Sequence, residues 1–166
     1  ICFYQMGLIF LFSLPILAAW QGSENSINYF DYLISFLMLL FIITETIADQ
    51  QQYNFQSEKY RKLRNREKLE GMYKEGFISN GLWAYSRHPN FASEQLIWIT
   101  FYMFSVSATG LILNWSIIGC ILLVILFFNS AKFSEEISSK KYSKYADYQK
   151  SVPMFIGIVS KNNLKS

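Results

Sequence analysis

Charge is scarce in this chain: Asp, Glu, Lys and Arg make up only 16% of 166 residues, while 52% are hydrophobic and 18% aromatic. Because the apolar residues also come in blocks, an ordinary soluble domain is excluded and an integral membrane protein is expected. Cysteine is nearly absent. Cys2 and Cys120 each lie in an apolar stretch without the spacing of a zinc site or a redox pair, which leaves them as small buried hydrophobes. No internal repeat and no low-complexity tract is present. The amino end lacks an initiator Met, and Ile1 opens inside an apolar run without the basic region and small-residue cleavage site of a signal peptide. The sequence therefore reads as a fragment of something longer.

Four stretches reach the length of about 20 residues needed to cross a bilayer. They are 1–20, 30–48, 92–109 and 110–131. Pro15 is tolerable inside the first, since neighbouring helices can satisfy the freed backbone. The last two are joined by almost nothing around Thr109 to Asn114, which predicts an antiparallel helical hairpin. Every one of the 15 Lys and Arg residues falls within Lys59–Arg87 or at Lys132 and beyond. With both basic segments on one side, the positive-inside rule puts residues 49–91, with their helix and loop, and the tail 132–166 in the cytosol. The net charge of +3 then marks a membrane face and carries no argument for nucleic acid. The fold expected is an all-α, polytopic membrane protein. It has about four transmembrane helices and a short cytosolic C-terminal amphipathic helix, in a bacterial inner membrane or the endoplasmic reticulum.

The stretch GLWAYSRHPNFASE, Gly81 to Glu94, concentrates an Arg, the single His, a Pro, an Asn and a Glu between a charged segment and an apolar one. Pro89 forbids a helix through it and disfavours the helical region at His88, so the chain turns there. A new helix is predicted from near Asn90, a good N-cap type. Its free amides and positive dipole, with Arg87 beside them, suit a phosphate or another anion. Glu94 lies one turn on, along the same face as Asn90. The plainer alternative is a capped helix with interfacial charges.

Glu45, Asp49, Gln52 and Gln56 fall at i, i+4, i+7 and i+11, a polar stripe on a helix leaving the membrane. An acid left facing lipid costs about 2.5 kcal/mol or more, so the stripe is expected to face a cavity, the alternative being the headgroup region. The segment SEKYRKLRNREKLEG reads as the solvated extension of that helix up to Gly71. Between Lys132 and Pro153 a short amphipathic helix is predicted, with Tyr142, Tyr145 and Tyr148 three apart on one face. These tyrosines either anchor the helix at the membrane surface or close over a bound cofactor.

GLWAYSRHPNF-x-x-E, then a hairpin of two spans, then KYSKYADYQKSVPMFIG resembles the carboxy-terminal half of the steroid 5-alpha-reductase-like membrane proteins, most closely their uncharacterised bacterial branch. The resemblance runs from about Glu45 to Gly157. It implies a cytosol-facing NADPH pocket in which Asn90 and Glu94 match the family's asparagine and glutamate, Asp49 its acid on the preceding helix, and Tyr142, Tyr145 or Tyr148 its terminal tyrosine. It further implies that Arg87 and His88 face the pyrophosphate, and that an apolar, lipid-like enone enters from the bilayer to be reduced. The isoprenylcysteine methyltransferases are more distantly similar, sharing the RHP step and closing tyrosine helix, and imply S-adenosylmethionine instead. A third reading is a non-catalytic membrane subunit that keeps the fold. Departures from the reductase pattern are Ser93 where Gly precedes the glutamate, Gln56 and a choice of Lys132, Glu135 or Glu136 where arginines serve phosphates, and Gly157 for a closing Pro. The substrate-contacting Glu and Tyr of the reductases come from earlier spans.

Overall fold

A computed structural model describes residues 2–22, 26–157 and 159. Ile1 of the first expected span, residues 23–25 of the loop after it, and 158 and 160–166 of the expected tail lie outside the described residues. The described residues are helical, without a strand. They form α1 (Cys2–Gln21), α2 (Tyr29–Arg64), α3 (Met72–Glu75), a 3-10 turn (Gly81–Ala84), α4 (Pro89–Thr109), α5 (Ile117–Lys141) and α6 (Tyr145–Ser151). Two of these, α2 and α5, contain stretches long and apolar enough to cross a membrane, with mean hydropathies of 1.8 and 2.0. Only 6% of the α2 stretch and 17% of the α5 stretch is buried, so their apolar side chains face outward, as membrane association requires and a soluble core does not. α1 adds a shorter apolar stretch, Met6–Gln21. In α4, Ser93, Glu94, Gln95, Thr100, Ser105, Ser107 and Thr109 dilute the hydropathy.

The chain divides into two compact units. The first comprises 1–43 and 93–128. Asn28 starts α2 through a reciprocal cap: its Oδ1 accepts from the Phe30 amide (2.8 Å) while its own amide donates to Asp31 (2.9 Å). Gly119 on α5 lies against the backbone of Leu11 on α1, with no room for a Cβ, which is the close approach small residues permit between apolar helices. The expected tight turn spans 110–116, and α5 starts only at Ile117. Its polar groups are met internally. Tyr102 Oη donates to the Ile112 carbonyl (2.7 Å) and accepts from the Asn114 amide (3.2 Å), Asn114 Nδ2 donates to Ser105 Oγ (3.0 Å), and Ser116 Oγ donates to Asn114 Oδ1 (2.6 Å). Satisfied backbone is what an apolar surrounding demands of a non-helical segment.

The second unit comprises 44–92 and 129–166. Here α2 continues to Arg64, earlier than Gly71, and stops where Arg66 adopts φ 56° and the Glu67 amide turns back to the Lys62 carbonyl (2.9 Å). Phe55, Ile78 and Trp83 form one buried cluster, with Met72 and Tyr73 packed on it; Trp83 Nε1 donates to the Ala48 carbonyl at 3.2 Å. Tyr145, Tyr148 and Val152 form a second cluster with Phe77 and Tyr142. The amphipathic segment expected between Lys132 and Pro153 is two helices: α5 runs on to Lys141, Tyr142 falls in the turn, and α6 follows. Helix α4 begins one residue earlier than expected. Pro89 takes the first helical position, where its missing N–H costs nothing, so His88 precedes the helix and its carbonyl accepts from the Ala92 amide (2.9 Å). Asn90 is thereby released from capping.

Candidate functional site

The RHP step is pinned by its backbone. The Arg87 amide donates to the Pro153 carbonyl (2.9 Å), the His88 amide to the Met154 carbonyl (3.1 Å), and Ser86 Oγ to the same Met154 oxygen (3.1 Å). The segment after α6 thus acts as a short rail that fixes where three consecutive side chains leave the chain.

Arg87 is enclosed, its side chain 10% exposed, and its fork meets Glu135 of α5 in a bidentate pair: Nε to Oε1 at 2.6 Å and Nη2 to Oε2 at 3.1 Å. Its Nη1 donates to the carbonyls of Gln149 and Val152, which finish α6. His88 Nε2 lies 3.1 Å from the same Glu135 Oε1, and Gln149 Nε2 donates to Oε2 at 2.9 Å. Burial pushes the Glu135 carboxyl up, but the hydrogen bonds from His88, Arg87 and Gln149 outweigh it and hold the group down to about 2. An ionised carboxylate only accepts, so His88 carries a hydrogen on Nε2. The ring of His88 stacks on Phe91 with centroids 5.5 Å apart.

Asp49 and Asn90, 41 residues apart, meet on the same unit: Asn90 Nδ2 donates to Asp49 Oδ1 at 3.0 Å. Asp49 itself is exposed. The bond fixes the amide's orientation and leaves Asn90 Oδ1 facing inward, where it is buried and has no hydrogen-bond partner among the described residues; Gln52 Oε1 is in the same condition. Both residues line a cavity of about 290 Å³ in this unit, with Gln56, His88, Tyr142 and Tyr145. Two orphaned acceptors in one cavity are an unusual cost, since each unmet buried group forfeits about 1–3 kcal/mol.

The three tyrosines converge from the turn after α5, which carries Tyr142, and from α6, which carries Tyr145 and Tyr148. Their rings sit around Phe77 at centroid distances of 6.0 Å for Tyr142, 5.1 Å for Tyr145 and 5.2 Å for Tyr148. Tyr148 Oη donates to the Trp83 carbonyl. Burial, reinforced by the Glu135 charge, pushes the Tyr145 phenol up to about 12, and burial with Tyr145 beside it raises Tyr148 as well. Both phenols stay protonated donors at any ordinary pH.

Of the residues singled out from the sequence, the structure joins Asp49 to Asn90, Arg87 to His88 through Glu135, and Tyr142 to Tyr145 and Tyr148 through Phe77. Glu94 is not part of the cavity lining. It belongs to the first unit, where its carboxylate accepts from Trp98 Nε1 at 2.8 Å. Glu135 and Gln149 were missed as site residues. Nothing in FSEEISSKK separates Glu135 from Glu136; only the fold buries one and exposes the other.

Among known proteins, the chain is 33% identical to an uncharacterised protein of Schizosaccharomyces pombe, in an alignment that covers 92% of this chain and 46% of the yeast protein. It thus spans about half the length of that curated relative. No solved structure matches it significantly. A family model, a protein of unknown function named DUF1295, matches residues 1–152. On that match across most of its length, the chain belongs to the DUF1295 family.

Proposed function

We propose that this protein is a membrane-embedded reductase that uses NADPH to saturate a carbon–carbon double bond in an apolar, lipid-like enone. The observation that carries this reading is the partnerless, inward-facing Oδ1 of Asn90, oriented by Asp49 and accompanied by Gln52 Oε1 in the same cavity. An acceptor pair of this kind suits N–H and O–H donors, which a nicotinamide carboxamide and a ribose both present. The resemblance to the steroid 5-alpha-reductase-like proteins at Asn90 supports the same assignment, whereas Glu94, the other residue of that match, lies outside the cavity lining. At about 290 Å³ the cavity matches one end of a dinucleotide rather than the whole of it.

Within this reading Asn90 and Gln52 hold the amide end, and the protonated Tyr145 phenol offers a hydrogen bond inside the cavity. His88 is kept in register by Glu135. NADPH bound here would supply a hydride to the β-carbon of the enone, and a proton taken up from water would complete the saturation. The reading extends to the membrane: 1–20, 30–48, 92–109 and 110–131 cross it, the two basic segments face the cytosol, and the substrate arrives through the lipid.

The test is a thermal-shift titration of the protein in detergent with NADPH, NADH and S-adenosylmethionine, in which a ligand at 100 times its Kd stabilises by about 2.7 kcal/mol. A shift with a nicotinamide cofactor that Asn90→Ala weakens is the expected result. A shift with S-adenosylmethionine alone identifies a methyltransferase in which the tyrosine cluster faces the sulfonium. No shift with any of them favours a non-catalytic subunit.

A further inference from the structure

Arg87 is not available to balance an incoming phosphate, because Glu135 already neutralises it. Two other cations lie near a ring that lines the same cavity. Tyr142 lines it, with Lys59 Nζ 5.1 Å and Lys141 Nζ 5.4 Å from the centre of its ring. Lys59 lies on the far part of α2 and Lys141 ends α5, so the fold and not the sequence brings the two charges together. They are no more than about 10 Å apart, the Debye length at 0.1 M salt, and repel one another.

Neither lysine has a carboxylate partner among the described residues. The ion pairs of the second unit use Arg61, Lys62, Lys68, Arg87, Lys144 and Lys150; of the two acids that adjoin this corner in sequence, Glu58 is taken by Arg61 and Lys62 and Glu75 by Lys144 at 3.2 Å. Lys59 is half-buried and held in place. Its Nζ donates to the Gly76 carbonyl at 2.7 Å and, at a longer 3.4 Å, to Tyr142 Oη, which leaves one ammonium hydrogen unassigned. Gly76 makes the corner possible: its φ of 95° is the left-handed region, and a Cβ there would collide with the Tyr142 ring. Two ammonium groups close to one phenol ring, neither with a carboxylate partner among the described residues, are an arrangement that an anion completes.

We propose that Lys59, Lys141 and Tyr142 form a phosphate-binding rim on this cavity, the two ammonium groups supplying charge and the phenol a hydrogen bond. For a nucleotide diphosphate as the occupant, the inference rests on the reductase reading; for a lipid headgroup phosphate it does not.

The test titrates the whole chain, in neutral detergent at fixed ionic strength, with inorganic pyrophosphate. Lys141→Gln, at an exposed position, weakens pyrophosphate about tenfold, and Lys59→Gln at least as much. Lys59→Arg restores most of the loss, which a folding defect would not allow. Lys68→Gln, on an exposed lysine paired with Glu70, changes nothing. Absence of pyrophosphate binding, or unchanged affinity in both Gln variants, overturns the rim. If the lysine variants lose pyrophosphate while NADPH binds no better than pyrophosphate, the rim stands and the reductase reading falls. If NADPH binds equally to every variant, the reductase reading stands and the rim falls. Competition against pyrophosphate by phosphatidic acid in nanodiscs, absent with phosphatidylcholine alone, supports the rim with a lipid headgroup as its phosphate source.

Discussion

Around the end of α2, Glu58, Arg61, Lys62 and Glu67 form a charge network in the open. Arg61 bridges Glu58 and Glu67 at 2.8 Å each, with its side chain 51% exposed. At the RHP step Arg87, His88 and Glu135 form another, with side chains 10%, 8% and 6% exposed. In both networks a carboxylate is held at about 2: Glu58 by the hydrogen bond from Arg61, Glu135 by three donors acting against burial. Equal depression does not mean equal structural weight. In the open network water stands ready to replace each partner, and screening by salt shrinks the pair to very little. In the enclosed one nothing replaces a lost partner, and the survivor is a charge in a dry place.

The largest effect expected is therefore on removing Glu135. Glu135→Gln leaves the Arg87 guanidinium buried without its counter-charge, and should cost about 3 kcal/mol or more, read as loss of stability by tryptophan fluorescence in detergent. The double variant Arg87→Met with Glu135→Leu should recover much of that loss, because both charges leave together. A Glu135→Gln protein as stable as the parent would erase the distinction between the two networks.

Acid gives a smaller and graded version of the same experiment. The folded value of Glu135 lies below its unfolded value of about 4.3, so its contribution is complete above roughly pH 5 and is lost as pH falls through 4 towards 2. Glu58 and Glu67 are also lowered and act in the same direction. Salt separates them: in about 0.5 M salt the exposed share fades, while the Glu135 share persists. A stability curve flat from pH 6 to 3 in high salt would show that the enclosed pair carries no such linkage.

Much of this arrangement is visible in the sequence. Helical periodicity was enough for Gln52 and Gln56, which line the cavity, though Glu45 and Asp49 of the same stripe do not, and the turn before α4 needed only Pro89. What escaped depended on contacts between distant segments. Asn90 read as a cap because its residue type favours that role, whereas Pro89 in the first helical position moved the boundary by one residue and freed the amide to reach Asp49. The three tyrosines read as one helical face from their spacing of three. They do gather, but around Phe77, which lies 65 residues before Tyr142. Spacing in sequence cannot report a ring that arrives from elsewhere in the fold. The lysines at Tyr142 were hidden for the same reason, among 15 basic residues that topology alone assigns to a membrane face.

The smallest effect belongs to Arg61. Arg61→Gln removes both bridges of the open network, yet each acid keeps water, Lys62 remains within 3.4 Å of Glu58 and 3.6 Å of Glu67, and no buried charge is created. The melting temperature should move by no more than about a degree or two at low salt and less in 0.5 M salt, because the interaction lost is one that ions already screen. The acids should register the change even where stability does not: with the Arg61 hydrogen bond gone, the Glu58 carboxyl should titrate closer to its ordinary range, observable by carbon NMR of labelled glutamate. A melting shift in Arg61→Gln as large as that in Glu135→Gln would mean that the α2 end is packed in the native protein, and that enclosure does not divide these two networks.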